Sequence, residues 1–325
     1  MPDSYMVAKL DFTNAFNSIR RDSMLEAVAL HAPEILQFCH SAYAKPTRLL
    51  YDNHTISSEE GVQQGDRLGP LLFCLTIQPI LSSLTSKLLL GYLDDITVGG
   101  ERESVAGDIE RVRSEGEVVG LRLNVKKCKL ITPTGVAPSQ PIFKDFIHLT
   151  PTQANLLGAP LLEGPAMDGA LTTRCDDLRR ATDRLCKISA HDALIILRSS
   201  FSAPKLLHTL RSSPCWSNPA LATFDSLVKS ALCKITNNAL PEHSWIQASL
   251  PVRDGGLRIR SVVSLAPSAF LASAASTRDL QSPILCSSNV SPVPEDPSVE
   301  STFTVWKTGH NTAPPTGEHC FSQKK

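Results

Sequence analysis

Residues 88–98 of the 325-residue chain have the sequence LLLGYLDDITV, in which two apolar segments flank the acidic pair Asp94–Asp95. Apolar and β-branched residues on both sides of a short interval predict a hairpin with the two carboxylates at its tip. Adjacent carboxylates on a tight turn repel each other, and a bound cation relieves that repulsion. Taken alone, such a pair is more often a plain solvent-exposed turn, because Asp is a favoured turn residue.

A third acidic residue follows a predicted strand near the N-terminus. Residues 6–12 (MVAKLDF) are mostly apolar, and Asp11 lies at the end of this segment. Neighbouring strands of one sheet can bring Asp11 close to Asp94 and Asp95. Carboxylate oxygens suit Mg²⁺, and two such ions about 3.5–4 Å apart can activate a 3′-hydroxyl and stabilise a leaving pyrophosphate. The three residues therefore indicate a site for metal-dependent nucleotidyl transfer.

The loop between these acidic segments is rich in glycine. Residues 61–73 have the sequence GVQQGDRLGPLLF, with adjacent glutamines at 63 and 64 and a helix predicted to begin at Pro70. Glycine lets the backbone approach a ligand closely, and a helix N-terminus favours a polar or anionic group. A flexible loop followed by a helix start explains the same residues without a ligand, so the segment is suggestive only in combination with the carboxylates.

The order of predicted elements indicates an α+β fold followed by a mostly helical region. Over residues 6–132 the predicted order is β, α, α, ββ, α, ββ, α, β, which is typical of an antiparallel sheet with helices on one face. Beyond residue 161 the periodicity is helical, and helices are predicted over 171–188, 193–197, 204–210 and 221–235. From about residue 281 the chain is rich in Ser and Pro, and we expect a disordered tail over 281–325.

Charge and composition limit the possible partners. Lys and Arg number 32 and so do Asp and Glu, so the net charge of the whole chain predicts no nucleic-acid partner. The distribution is uneven, however: residues 1–187 carry 20 basic and 23 acidic side chains, whereas residues 188–270 carry 8 basic and 4 acidic ones. The basic second region is therefore compatible with binding to the phosphate backbone of a nucleic acid.

The cellular compartment is predicted from three features that the sequence lacks. No apolar segment approaches the roughly 20 residues that span a bilayer, and no basic stretch with an apolar core marks the N-terminus as a secretory signal. The nine cysteines are scattered and none forms Cys-x-x-Cys. We therefore expect no membrane partner, and an intracellular protein, cytoplasmic or nuclear and not secreted, with reduced thiols.

Five segments, in order, resemble the motifs of reverse transcriptases of the non-LTR (LINE-type) retrotransposon class. They are residues 11–18 (DFTNAFNS), 64–71 (QGDRLGPL), 91–95 (GYLDD), 120–124 (GLRLN) followed by Lys127–Cys128, and 157–158 (LG). Residues 250–260 (LPVRDGGLRIR) resemble a thumb-side segment of these elements. The resemblance runs from residue 6 to about 275, and within the second motif Arg67 stands where the family usually has proline.

The resemblance implies a polymerase palm over residues 1–165 and a helical thumb or connection region over 166–280. It implies an RNA-directed DNA polymerase that uses an RNA template, a DNA primer, deoxynucleoside triphosphates and two Mg²⁺ ions, with Mn²⁺ as a substitute. No obligate protein partner is evident. In the family the fingers precede the first motif, and because this chain starts almost at that motif, we expect a truncated fragment without them.

The resemblance also assigns roles to individual residues. Asp11, Asp94, Asp95 and the backbone carbonyl of Phe12 would be metal ligands. Phe16 would exclude the 2′-hydroxyl of ribonucleotides, although core packing explains it equally well. The remaining assignments are contacts to the nucleotide by Gln64 and Gly65, support of the turn by Tyr92, and protonation of pyrophosphate by Lys127, with Lys126 and Lys129 as open alternatives.

Two other functions remain open from the sequence. One is a catalytically inactive, nucleic-acid-binding remnant of a decayed element, which would keep the fold and lose the chemistry. The other is an RNA-templated RNA polymerase. Tyr92, where such enzymes have glycine, and a bulky Phe16 at the sugar position argue against the second.

Overall fold

The structure is a computed structural model that describes residues 2, 4–136, 138, 140–286 and 296–309. It divides into two compact units, Met1–Pro151 and Thr152–Lys325. No helix in these described ranges is long and apolar enough to cross a membrane.

Among its described residues, the first unit has a five-stranded sheet, a separate hairpin and five α-helices. The strands are β1 (Tyr5–Leu10), β2 (Thr47–Tyr51), β3 (His54–Ser58), β4 (Leu88–Tyr92), β5 (Asp95–Glu101), β6 (Lys129–Ile131) and β7 (Ile147–Leu149). The helices are α1 (Ala15–Ser18), α2 (Arg21–His31), α3 (Leu36–Tyr43), α4 (Gly69–Ser82) and α5 (Arg102–Val118).

The sheet has the strand order β4-β5-β1-β6-β7. Strand β1 is antiparallel to both β5 and β6, and β4 is antiparallel to β5. The predicted antiparallel sheet and both predicted hairpins are therefore confirmed. The parallel pair β6–β7 at the edge was not predicted, because β7 is only three residues long and lies in a stretch without strand periodicity.

One face of this sheet is apolar and covered, and the other is open. Along β1, Met6, Ala8 and Leu10 are fully buried, while the alternating residues are only half-buried. The buried set joins side chains of α2, α4 and α5 in one core, and each large apolar side chain stabilises the fold by about 1.5–3 kcal/mol. The face that carries Tyr5, Val7 and Lys9, called the open face below, is therefore less covered along β1, although Thr97 opposite Lys9 on β5 is buried.

The second unit is a short hairpin followed by helices. Its strands are β8 (Asn155–Leu156) and β9 (Ala159–Pro160), and its helices are α6 (Pro165–Leu185), α7 (Ala190–Ile196), α8 (Ala203–Ser212), α9 (Pro219–Thr236), α10 (Glu242–Ser249), α11 (Val262–Cys286) and α12 (Pro297–Gly309). A π-helical segment, Leu197–Phe201, joins α7 to the turn before α8. The predicted mostly helical region is confirmed, with a core of its own.

Two boundaries differ from the prediction. The units divide at residue 151 and not at 165, because the β8–β9 hairpin packs with the helices that follow it; the hydroxyl of buried Ser213 donates to the Pro160 carbonyl at 2.7 Å. The predicted disordered tail is wrong for 281–286, which continue α11, and for α12, which packs on α11 and buries Thr302 and Trp306. The rest of the predicted tail, 287–295 and 310–325, lies outside the described residues.

Candidate active site

Two of the three predicted carboxylates adjoin the last paired residues of β1 and β5 at one end of the sheet. In the β1–β5 register Leu10 faces Ile96, and the next position along that register sets Asp11 opposite Asp95. Both follow the alternation of the open face, and both are half-buried. Asp94 lies beside them in the two-residue turn between β4 and β5, so all three residues occupy the same end of the sheet.

The turn that carries Asp94 contains a strained residue. Tyr92 pairs with Asp95, so only Leu93 and Asp94 are left to reverse the chain, and Leu93 adopts the left-handed conformation with φ 57°. A branched, bulky residue in that region costs roughly 1–2 kcal/mol. Such strain persists where the surrounding structure determines the conformation, and it is concentrated at functional turns.

A lysine that the sequence analysis passed over accompanies the carboxylates. Lys9 lies two residues before Asp11 on the same face of β1, and its ammonium is 3.8 Å from the Asp95 carboxylate. The Lys9 side chain is only 18% exposed, compared with 45% for Asp95. Its charge offsets part of the repulsion among the three acids. The one signal in the sequence is a lone lysine inside an otherwise apolar strand.

The fourth motif holds the backbone of Asp11. The Asn124 amide donates to the Asp11 carbonyl at 2.8 Å, and the Asp11 amide donates to the buried Cys128 sulfur at 3.4 Å. Burial raises the pKa of the Cys128 thiol, which therefore stays neutral beside the acid. These contacts fix Asp11 from the side of β6 and leave its carboxylate free on the open face.

The carbonyl of Phe12 is directed toward the carboxylate turn. Phe12 forms an antiparallel bridge with Leu123, in which the flanking residues make the hydrogen bonds. In such a pair the amide and carbonyl of the bridged residue point away from its partner. The Phe12 carbonyl accordingly points to the opposite side of β1, where β5 begins with Asp95.

The oxygen atoms at this end of the sheet are of the type that binds a divalent cation, but the three carboxylates do not converge on one point. Within the described part of the chain no group of three or more His, Cys, Asp or Glu side chains is close enough to hold a metal ion. Asp11, Asp95 and the Phe12 carbonyl are hard oxygen donors at one end of the sheet, which is the ligand type of Mg²⁺. The side chain of Asp94 would have to join them.

The glycine-rich loop presents Gln64 and Gly65 to solvent. Gly65 has φ 89°, and a Cβ added there would meet no atom within 4 Å. The space beside the Gly65 backbone is therefore open to a ligand. Gln64 is exposed, whereas its neighbour Gln63 is half-buried and donates from Nε2 to the Thr47 hydroxyl at 3.5 Å. The predicted contact residues thus point outward from a loop that its neighbours anchor.

A hydrogen-bonded pair beneath this loop was missed by the sequence analysis. The hydroxyl of buried Tyr43 donates to the Asp66 carboxylate and accepts from the Gln63 amide at 3.3 Å. The other Asp66 oxygen accepts from the Leu68 amide at 2.9 Å. Burial, with the hydrogen bond to Asp66 as a further cause, raises the pKa of Tyr43 to about 12. The pair ties α3 to both sides of Gln64–Gly65.

Buried Arg21 completes the anchoring of the loop. Its guanidinium donates to the carbonyls of Gly61 at 3.0 Å and Ser58 at 2.7 Å, and lies 5.4 Å from the centre of the Tyr43 ring. A buried guanidinium is tolerated where its donors are satisfied in this way. Arg21 therefore joins α2, the base of the β2–β3 hairpin and the start of the loop.

The other predicted site residues occupy different settings. Phe16, in α1, is partly buried and stacks on Phe73, with ring centroids 4.5 Å apart. Tyr92 is exposed at the end of β4. Lys127 and Lys126 are exposed in the turn before β6, whereas Lys129 pairs with Lys9 across β1–β6 and shares the open face of the sheet.

The fifth motif is a tight turn in the second unit. Leu157 and Gly158 both have positive φ, 48° and 80°, and connect β8 to β9 as the two central residues of a hairpin. Two successive positive φ values are the signature of the turn that best matches strand twist. Glycine at 158 meets that demand without steric cost.

Known proteins are similar to this chain in sequence. Residues 1–161 match the family described as reverse transcriptase (RNA-dependent DNA polymerase). The retrotransposable element SLACS 132 kDa protein of Trypanosoma brucei gambiense is 26% identical over 284 residues, which are 80% of this chain. The chain spans 23% of the length of that relative.

Solved structures of telomerases are similar at lower identity. Apo telomerase from Candida tropicalis is 12% identical with a TM-score of 0.43, over 94% of this chain and 54% of the telomerase chain. Telomerase from Candida albicans in complex with a fragment of telomeric RNA is 10% identical with a TM-score of 0.35, over 90% and 52%. The family match covers the whole of the first unit, so residues 1–161 are a reverse transcriptase domain, and the retrotransposon relative supports the non-LTR kind.

Proposed function

We propose that the first unit is the catalytic centre of the polymerase, in which Asp11, Asp94 and Asp95 hold two Mg²⁺ ions on the open face of the sheet. The observation that carries the proposal is the β1–β5 register, which ends at Leu10 and Ile96 and would set Asp11 opposite Asp95 at the next position. The direction of the Phe12 carbonyl supports it as a further ligand. Mn²⁺, which takes the same oxygen donors, would substitute.

The metal ions would activate the primer 3′-hydroxyl and stabilise the leaving pyrophosphate. The residues of the chain position the reactants and offset the charge of the carboxylates. Lys9 limits the repulsion among the acids before the ions bind, since its ammonium already contacts Asp95. Lys127 is exposed and available to deliver a proton to pyrophosphate, while Lys129 has the alternative position on the open face.

The nucleotide would bind against the loop that carries Gln64 and Gly65. The open space at Gly65 and the exposed Gln64 side chain support this contact, and the anchoring by Tyr43 and Arg21 keeps the loop in place. Phe16 follows the strand of Asp11 by five residues and is held rigid by its stack on Phe73. A rigid ring at that position would reject a 2′-hydroxyl by steric exclusion.

Primer extension on an RNA template tests this function. The full chain should extend an annealed DNA primer with deoxynucleoside triphosphates and Mg²⁺, and Asp94→Asn should reduce the rate by on the order of a hundredfold or more. Asp52→Asn is a matched control, because Asp52, like Asp94, is an acidic residue in a two-residue hairpin turn, here between β2 and β3. It should keep wild-type activity.

Two outcomes would contradict the proposal. Equal rates of extension by wild type and Asp94→Asn would show that the Asp94 carboxylate takes no part in the reaction. Binding of an RNA–DNA hybrid without extension, at any Mg²⁺ or Mn²⁺ concentration, would favour the inactive nucleic-acid-binding remnant.

A further inference from the structure

The second unit contains an open cavity of about 420 Å³ whose walls are of two kinds. It lies between the C-terminal half of α6, the π-helical segment after α7 and the start of α8. The apolar lining consists of Ala181, Leu185, Ile188, Ile196 and Phe201, and the charged lining of Asp177, Arg180, Arg184 and Lys205. An apolar floor beside a charged rim suits a ligand that is itself part apolar and part charged.

The charged rim is a cluster of cations arranged around one acid. The Asp177 carboxylate contacts Arg180 at 2.6 Å, Lys205 at 3.3 Å and Arg174 at 3.5 Å. Lys205, followed by the two arginines, lowers the pKa of Asp177, which therefore stays ionised. One negative charge thus holds three positive side chains in fixed places, and the group keeps a net positive charge.

Arg184 adds a further positive charge at the same rim. It lies one helical turn beyond Arg180 on α6 and makes no ion pair within the described part of the chain. Its guanidinium is exposed, so it is available to an external anion. Planar guanidinium groups bind phosphate oxygens through parallel hydrogen bonds.

The backbone around the cavity strengthens its preference for an anion. Helix α8 begins at Ala203, between the lining residues Phe201 and Lys205, and the N-terminus of a helix is its positive end. The adjoining wall is the π-helical segment Leu197–Phe201, a form of helix that is rare and concentrated at functional sites.

We propose that this cavity binds one unpaired nucleotide of a nucleic-acid strand, with the base on the apolar floor and its phosphate at the cationic rim. An inorganic anion would use the rim alone, and a purely apolar molecule the floor alone. A base offers a flat π-face to Phe201 and Ile188, and the adjacent phosphate reaches Arg180, Arg184 and Lys205. The nucleotide has to be unpaired because pairing and stacking in a duplex cover the faces of the base.

The inference rests on the proposed function only in that a polymerase brings single strands to the chain. All residues that line the cavity belong to the second unit, whereas the three carboxylates belong to the first. Binding and catalysis can therefore be tested separately, and the Asp94→Asn variant should bind single strands as wild type does.

Anisotropy of a fluorescein-labelled ten-nucleotide strand tests the site with the full chain. Arg184→Gln should weaken binding by roughly tenfold at low salt and lower the slope of log affinity against log salt by about 0.7, the loss of one phosphate contact. Ile188→Ser should weaken binding by roughly fivefold with an unchanged salt slope, because it removes contact with the base only. Both side chains are exposed, so the melting temperature should stay within a degree or so of wild type.

Arg179→Gln is the matched control, since Arg179 is an exposed arginine on the same helix that pairs with Asp176 and does not line the cavity. It should change neither affinity nor salt slope. RNA and DNA strands of one sequence form two arms that decide which sugar the site prefers. A strand of abasic residues should bind wild type and Ile188→Ser equally, and a duplex should be insensitive to Ile188→Ser.

Two results of the anisotropy measurements would overturn the inference: equal affinities and salt slopes of Arg184→Gln and Arg179→Gln, or wild-type affinity of Ile188→Ser. It would also be overturned if an acidic amphipathic peptide, and no nucleic-acid strand, bound to the cavity. If primer extension fails while the cavity variants behave as expected, the proposed polymerase activity is wrong and the proposed nucleotide site is supported. If extension succeeds and the cavity variants bind as wild type does, the polymerase activity is supported and the nucleotide site is wrong.

Discussion

Phe16 combines observed packing in the core with a proposed role at the sugar of the nucleotide. Its ring stacks on the fully buried Phe73 with an angle of 16° between the planes. Phe16→Val should lower the free energy of unfolding by about 1–3 kcal/mol through lost area and lost stacking. In a preparation that extends primers, the same change should raise incorporation of ribonucleotides relative to deoxyribonucleotides.

Phe73→Leu serves as the control for Phe16→Val. It removes the same stack and costs stability, but it keeps the Phe16 ring itself, so sugar discrimination should fall less than in Phe16→Val. Urea unfolding and paired incorporation assays measure the two effects. A folded, active Phe16→Val that rejects ribonucleotides as strongly as wild type would reduce Phe16 to a core residue.

The Tyr43 hydroxyl is predicted to fix the loop that carries Gln64 and Gly65. Tyr43→Phe should cost about 1 kcal/mol and speed hydrogen exchange of the Gln63 amide, which loses its acceptor. If the wild-type chain extends primers, the KM for nucleotide should rise more than kcat falls. Unchanged exchange at Gln63 would contradict the role of the hydroxyl.

The Tyr43 pKa gives this prediction a pH signature. The phenol keeps its proton in the folded protein up to a pKa of about 12, compared with the ordinary value of 10.0. Between these values the unfolded chain has lost the proton that the folded chain retains, so stability falls as pH rises. The difference in unfolding free energy between wild type and Tyr43→Phe should be constant below pH 10 and shrink above it.

Local patterns explain which site residues could be predicted. Asp11, Asp94 and Asp95 stand out because each interrupts an apolar segment at a strand end. Tyr43 and Asp66, by contrast, are 23 positions apart, and Arg21 and Gly61 are 40 apart. No short-range pattern encodes such pairs, since only the packing of α2 and α3 beside the loop brings them together.

At the scale of elements, two glycines with nearly the same backbone conformation should respond differently to substitution. Gly65 and Gly120 have φ 89° and 88°, but a Cβ on Gly120 would lie 2.3 Å from the Ser18 carbonyl oxygen, whereas Gly65 faces open space. Gly65→Ala should cost about 1–2 kcal/mol, the left-handed strain alone. Gly120→Ala should cost about 3 kcal/mol or more, because the clash adds to the strain.

Urea unfolding of the two alanine variants measures this difference. Equal losses of stability would mean that the turn after α5 relaxes freely, and the fourth motif would then not be held rigidly against the start of α2. Such a result would also weaken the case that this motif fixes the backbone of Asp11.

Element prediction succeeded where turn chemistry and periodicity agree, as in the hairpins β2–β3 and β4–β5. It failed for α11, which contains Pro267 and begins with a cap from a distant helix: the Asp225 carboxylate on α9 accepts from the Val262 amide at 2.8 Å. It failed for α12 because the Ser- and Pro-rich composition of this region indicated disorder, whereas the segment packs as a helix on α11.

At the scale of the molecule, the positive charge of residues 188–270 is predicted to supply nucleic-acid affinity. Arg253, Arg258 and Arg260 are exposed within the segment that resembles a thumb motif. Replacing all three with Gln should weaken binding to an RNA–DNA hybrid and lower the salt slope by about 2–3. Replacing Arg20, Lys87 and Arg113 of the first unit, which are exposed and ion-paired, provides a control of equal charge.

Salt titrations of both triple variants locate the charged footprint. A larger loss of slope for the first-unit triple would move the binding surface to the palm and leave the thumb segment with a structural role. The α+β unit followed by helices could be predicted from element order alone. The division at residue 151 could not, because the short β8–β9 hairpin belongs to the second unit through the contact of Ser213 with Pro160.

The central claim is that Asp11, Asp94 and Asp95 form one divalent-cation centre, and the melting temperature of the full chain with and without Mg²⁺ or Mn²⁺ tests it most directly. Either ion should raise the wild-type melting temperature by several degrees, on the order of 5 °C near saturation. Asp94→Asn should abolish the rise, and Asp52→Asn should retain it. Equal stabilisation of wild type and Asp94→Asn would show that the ions bind elsewhere and would contradict the account.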